Sequence, residues 1–253
     1  MKLASYGRRE WLGSAFIALF LLLISLWMGV GISIHAGLAL ATLTILGWLA
    51  LAAFFRDPER KPPADLDVIL SPADGVVRDI ELVRGTPLNE FFGGKSILRI
   101  GIFLSVFDVH LNRAPCCFKV AQKDYREGAF HDARNPLASQ VNEAMTLSGF
   151  AEFDGRSFPL AIRQISGAIA RRIVCTAEPG DLLERAQRYG MIKFGSRTEL
   201  YLPAGHDISL SVKVGDRVAA GVTVMARLVP LDESSTLTDE IQKIKDAQPP
   251  ADD

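Results

Sequence analysis

The chain has 253 residues, with 28 Lys and Arg against 29 Asp and Glu and a formal charge of −1. That balance, with no basic stripe interleaved with aromatics, argues against a nucleic-acid partner, and the length allows one or two domains with a sizeable core. Of the three cysteines, Cys116 and Cys117 are adjacent and Cys175 is distant, a spacing that points to reduced thiols rather than a disulfide framework or a metal centre.

From residue 11 to residue 55 there is no Asp, Glu, Lys or Arg. One helix of that length would measure about 68 Å, roughly twice the hydrocarbon core of a bilayer. Two spans fit better, near 11–28 and 37–55, separated by the glycine-rich run Gly29-Val30-Gly31-Ile32-Ser33-Ile34-His35-Ala36-Gly37. Lys2, Arg8 and Arg9 precede the first span, Arg56, Arg60 and Lys61 follow the second, and the loop between carries no Lys or Arg. Both flanks are therefore expected on the cytoplasmic side of the cell (inner) membrane. A cleaved signal peptide is the competing reading; it requires a shorter apolar core and a small-residue cleavage site.

Pro58, Pro62 and Pro63 stop the second helix. Beyond them, short apolar runs bounded by Gly, Pro and Asp predict strands at 68–70, 75–83, 96–104, 117–121, 157–162, 172–175, 191–194, 199–202, 208–212 and 222–228. Short helices are expected at 106–111 and 181–189, and 135–143 is ambiguous. The fold expected is mostly β, a sandwich or partly open barrel with few helices, behind a two-helix transmembrane hairpin. The division is 1–55 as anchor, 56–230 as the main domain and 231–253 as an acidic, largely disordered tail. Residues 212–221 have the hairpin rhythm of biotinyl and lipoyl carrier domains, and Ser71-Pro72-Ala73-Asp74-Gly75 resembles a second piece of that fold. No lysine sits at a hairpin tip to be modified, so this likeness concerns fold and not function.

Residues 191–203 read Met-Ile-Lys-Phe-Gly-Ser-Arg-Thr-Glu-Leu-Tyr-Leu-Pro, a Gly-Ser pair between two apolar strand-like runs. Gly195 has no Cβ, so its carbonyl can be approached closely. The Ser196 hydroxyl is placed to attack it, giving an ester. Elimination from the ester leaves dehydroalanine at a new amino terminus, and hydrolysis turns that into a pyruvoyl ketone. Bare Gly-Ser pairs are mostly turns, and a serine hydroxyl needs a base or a polarised bond to act.

The surrounding sequence resembles the phosphatidylserine decarboxylase proenzymes, in their shorter branch with Phe-Gly-Ser-Arg at the processing site. The likeness covers nearly the whole chain, through Arg56-Asp57-Pro58-Glu59-Arg60, Ser71-Pro72-Ala73-Asp74-Gly75, Ile102 to His110, and Gln164 to Ile173. It implies cleavage between Gly195 and Ser196 into a β chain (1–195) and an α chain (196–253) that begins with a covalent pyruvoyl group made from Ser196. It further implies His110 as the proton carrier and Asp74 as the aspartate serving self-cleavage, with no metal. The activity implied is decarboxylation of phosphatidylserine in the membrane to phosphatidylethanolamine and carbon dioxide, through a Schiff base to the pyruvoyl group. A related seryl lipid such as archaetidylserine, or a non-enzymatic membrane-tethered β module, are the alternatives.

One position departs from the long-branch pattern. A second histidine follows the first by three residues there, and here that position is Arg113, which stays protonated and cannot serve as a base. His131 and His206 are the other histidines beyond the anchor. Arg171 and Arg172 are candidates for holding a phosphate or carboxylate, or else sit on a solvated strand edge.

Overall fold

The computed structural model describes residues 2–84, 87–135, 137–153, 156–168, 172–193, 196–205 and 208–228. The chain divides into two compact units, Met1–Glu59 and Arg60–Asp253.

In the first unit, helices α1 (Arg8–Gly31) and α2 (Ile34–Phe54) form a hairpin. At 1.5 Å per residue they are about 36 and 32 Å long, each enough to cross a hydrocarbon core. Large apolar side chains such as Phe16, Phe20, Leu26 and Leu43 point outward, as they would toward lipid. The expected nine-residue break is shorter: the helices part only at Ile32 and Ser33. Gly37 makes this tight turn possible, because a Cβ there would lie 2.6 Å from the Ser25 carbonyl oxygen and 2.7 Å from the Gly29 Cα. At the other end Trp11 and Trp48 stack with ring centroids 4.9 Å apart. Ala4 N–H donates to the Phe55 carbonyl and Asp57 N–H to the Lys2 carbonyl, each at 2.8 Å. The two basic flanks therefore lie at the same end of the hairpin.

The second unit is mostly β, as expected. Its strands are β1 (Val68–Leu70), β2 (Gly75–Val83), β3 (Ile97–Leu104), β4 (Leu111–Arg113), β5 (Phe118–Arg126), β6 (Ala144–Phe153), β7 (Arg156–Ile165), β8 (Arg172–Cys175), β9 (Leu182–Leu183), β10 (Arg188–Lys193), β11 (Ser196–Pro203), β12 (Ile208–Leu210), β13 (Arg217–Val218) and β14 (Val224–Leu228). The one helix described in this unit is α3 (Ala138–Val141). An eight-stranded sheet runs in the order β13-β2-β3-β11-β7-β6-β5-β9, and two three-stranded sheets run β4-β10-β8 and β1-β14-β12. The two segments that resemble carrier domains meet directly, since Arg217 and Val218 pair with Val76 and Gly75.

Side chains alternate across the large sheet. One face holds Ile80, Leu98, Ile100, Ile102, Leu147, Ile162 and Leu200, all in the main core. Each such side chain contributes about 1.5–3 kcal/mol on burial. The same alternation places Ser196 and Thr198 on the core face, and Arg197, Glu199 and Tyr201 on the opposite one.

Two expected helices are absent. Residues 181–189 form β9, a turn and the start of β10, because Leu182 and Leu183 pair with Lys119 and Phe118 and Leu183 enters the core. Residues 106–111 form a turn leading into β4. The tail, 231–253, lies outside the described residues.

Candidate active site

Three segments named from the sequence converge at one end of the large sheet. Ser196 opens β11 opposite Leu104, the last residue of β3. Val76, at the start of β2, pairs with Phe103, so Asp74 immediately precedes the same end. From there the chain leaves β3 for β4, and His110 lies on that connection. Lys193 ends β10, the neighbour of β4, and Ile192 N–H donates to the His110 carbonyl at 3.2 Å. The β3–β4 link, which carries His110, thus leaves the large sheet beside Ser196, the first residue of β11. Gly195 itself lies outside the described residues, as do Phe194, Arg171 and His206.

Ser196 is fully buried, and its Oγ has no hydrogen-bond partner among the described residues. A buried, unsatisfied hydroxyl is costly, and its place on the core face aims it between the sheets. Such an orphaned oxygen fits a residue that is consumed to make a prosthetic group. His110 is also fully buried, with Nδ1 2.9 Å from the Asp108 carbonyl oxygen. A carbonyl only accepts, so Nδ1 carries the proton and Nε2 holds the lone pair that can act as a base.

Asp108 is a residue that sequence reasoning missed. Its Oδ2 accepts from Ser105 N–H at 2.8 Å and from Ser105 Oγ at 2.7 Å, and Arg217 lies 3.3 Å from Oδ1. This closes the 105–108 turn and fixes the carbonyl that orients the imidazole. The signal was present in Ser105-Val106-Phe107-Asp108, a turn-forming pair at i and i+3.

Asp74 engages other partners. Arg60 grips both its oxygens, at 2.5 and 2.6 Å, and Ala220 N–H donates to Oδ1 at 2.8 Å. Its loop reaches the site through the Pro72 carbonyl, which accepts from Arg113 N–H at 3.0 Å and Asn112 Nδ2 at 3.4 Å. Arg113 is buried and donates to the Ala186 carbonyl at 3.1 Å, a framework role for the position where the long branch carries histidine. His131 is exposed; Asp132 beside it is held below the usual carboxylate range by hydrogen bonds from Arg134. Arg172 is exposed on the edge strand β8, opposite Lys193.

A buried amide network supports the centre from below. Asn112 Nδ2 donates to Thr198 Oγ1 at 3.0 Å, and Gln164 Nε2 to Asn112 Oδ1 at 2.8 Å. It ties β4 to β7 and β11 two residues past Ser196. Asn142 Nδ2 donates to the carbonyls of Ser166 and His131, each at 2.8 Å. Ser166 Oγ, one residue beyond β7, is buried with no partner among the described residues. A cavity of about 410 Å³ opens beside Leu104, lined by Arg78, Phe103, Val106 and Arg134 among others. Arg78 stacks over the Phe103 ring at 5.5 Å.

The family model described as phosphatidylserine decarboxylase matches residues 49–226. The phosphatidylserine decarboxylase proenzyme of Trichlorobacter lovleyi is 45% identical over 188 residues, covering 74% of this chain and 81% of that protein. The proenzyme of the same description from Gluconacetobacter diazotrophicus is 46% identical over 175 residues, 69% of this chain and 75% of the relative. That from Geobacter metallireducens is 38% identical over 216 residues, 85% and 94% respectively.

Proposed function

The chain belongs to the phosphatidylserine decarboxylase family, and on that premise we propose that it matures by breaking its own Gly195–Ser196 bond, with His110 as the base. It is a phosphatidylserine decarboxylase proenzyme, a carboxy-lyase of phospholipid biosynthesis that works through a self-generated pyruvoyl group. The reading as a non-enzymatic β module falls with that membership. We assign the chain to the shorter branch on its Phe194-Gly195-Ser196-Arg197 run.

The observation that carries the proposal is the buried, unpartnered Ser196 Oγ at the sheet end where the link bearing the buried His110 begins. Nε2 of His110 takes the hydroxyl proton as Oγ attacks the Gly195 carbonyl. The C–O bond forms and the C–N bond breaks, leaving an ester and a free Ser196 amine. Loss of the Cα proton expels the Gly195 carboxylate, and hydrolysis of the resulting enamine releases ammonia. The products are the β chain, 1–195, and the α chain, 196–253. Asp74 acts at a distance in this account: clamped by Arg60, it holds the 72–74 loop that supports Asn112 and Arg113.

When formed, the pyruvoyl group supplies the carbonyl that takes up the substrate amine and accepts the electron pair released with carbon dioxide. His110, then protonated, returns a proton to the product carbon. The 410 Å³ cavity beside Leu104 admits the headgroup, with Arg78 and Arg134 facing its phosphate. Arg171 and Arg172 are further candidates for that contact. The hairpin holds the enzyme on the membrane, with the catalytic unit on the cytoplasmic face. Ser196→Ala tests the chemistry: the protein should stay one chain and release no carbon dioxide from phosphatidylserine. Cleavage of that variant at the normal rate would sink the assignment.

A further inference from the structure

The sheet face opposite the core carries a polar site that the decarboxylation does not use. Five guanidiniums lie there, from Arg84, Arg99, Arg126, Arg163 and Arg197, against the three carboxylates of Asp79, Glu81 and Glu199. The carboxylates are already matched. Arg197 bonds Asp79 at 2.6 Å and Glu199 at 2.8 Å, and Arg99 reaches Glu81 at 2.8 Å and Asp79 at 3.4 Å. Tyr201 donates its hydroxyl hydrogen to Glu199 at 2.5 Å.

Arg84, Arg126 and Arg163 are left over. They form no ion pair among the described residues, and they line a cavity of about 650 Å³ together with Arg99 and Tyr201. Arg126 spends its Nη2 on two backbone carbonyls, at 2.7 and 3.1 Å. Nε of Arg99, Arg126 and Arg163 are each buried with no acceptor among the described residues. Burial and the neighbouring Arg163 charge push the Arg126 pKa down, and Tyr201 and Glu199 offset this only in part.

We propose that this cavity binds a phosphate group, either free phosphate or the phosphoester headgroup of an anionic lipid. Guanidinium forks match phosphate oxygens in pairs, and the five guanidiniums exceed the three carboxylates by two charges, enough to offset those of a phosphate. The site is separate from the reacting centre. Tyr201 lies five residues beyond Ser196 along β11, about 16 Å at strand spacing, and its side chain projects from the other face. A serine headgroup cannot place its amine at residue 196 and its own phosphate here.

The test uses the full-length protein in neutral detergent, titrated with inorganic phosphate and followed by calorimetry. Saturable binding is expected, weakened about tenfold or more in Arg163→Gln. Arg84 is exposed and its replacement spares the core, so Arg84→Gln should fold and cleave normally and still bind phosphate several-fold more weakly. Competition then identifies the source. Displacement of phosphate by phosphatidylglycerol vesicles but not by phosphatidylcholine vesicles assigns the site to a lipid headgroup; displacement by neither assigns it to free phosphate. No saturable binding in the unmodified protein, or undiminished affinity in Arg84→Gln and Arg163→Gln, would overturn the proposal.

Discussion

At the scale of single residues, the proposed chemistry depends on which nitrogen of His110 is basic. The Asp108 carbonyl settles this by accepting from Nδ1 at 2.9 Å, and the Asp108 carboxylate holds that carbonyl in place through Ser105. His110→Ala should slow self-cleavage by about 10²-fold or more, the usual loss of a positioned base. The fraction cleaved over time measures it, with carbon dioxide release scored on the cleaved fraction. Asp108→Ala should slow both steps less, since the backbone carbonyl remains. Asp108→Asn should recover part of the loss, because its amide oxygen can still accept from Ser105 N–H. His131→Ala should cleave normally; its residue is exposed and meets Asn142 through its backbone. Normal cleavage in His110→Ala would place the base elsewhere.

At the scale of elements, the short apolar runs bounded by Gly, Pro and Asp announced β1, β2, β3 and β8 almost to the residue. Strand β6 was not legible, because Ala144, Ser148, Gly149 and Ala151 are weak strand formers that are held by pairing to β5 and β7 on either side. The segment 181–189 misled for the opposite reason. Leu, Glu, Arg, Ala and Gln favour helix, and tertiary pairing overrides them. Ser196 and His110 stood out in the sequence because they carry motifs, and both are buried. Asn112 and Gln164 act through partners distant in sequence, so no local pattern reveals them.

The polar face of β11 was likewise invisible as a network, although it is central to that strand. Arg197 lies across Gly101, where a Cβ would stand 2.1 Å from Arg197 Nη2, and it pairs with buried Glu199. Burial raises the Glu199 pKa, but the charges of Arg197 and Arg99 outweigh it and the net shift is downward. A carboxylate with a depressed folded-state pKa stabilises the fold above its unfolded value, about 4.3, and that stability is lost as pH falls through the folded-state pKa. Glu199→Gln should therefore destabilise the protein at pH 7, by about 3–5 kcal/mol for a broken buried pair. It should also flatten the decline in acid. Thermal unfolding at pH 7 and pH 3 checks both, and equal stability at pH 7 would remove the network from the account.

At the scale of the whole molecule, the paired backbone segments that close the helical hairpin put Lys2, Arg8 and Arg9 at the same end as Arg56. Reporter fusions after Gly31 should read outside the cytoplasm, and fusions after Lys61 inside. Release of the protein by high salt alone would contradict a spanning hairpin, since salt screens charge but does not extract helices. If this chain makes its own electrophile at Ser196, intact-mass analysis of the purified active protein will show it. Two chains are expected, one ending at Gly195 with a free carboxylate and one spanning 196–253. The second should be lighter than its sequence by the difference between a serine amino terminus and a pyruvoyl group, which is one ammonia. An active protein that runs as a single chain of full-length mass, or an active small chain whose mass is that of an unmodified serine terminus, would contradict it.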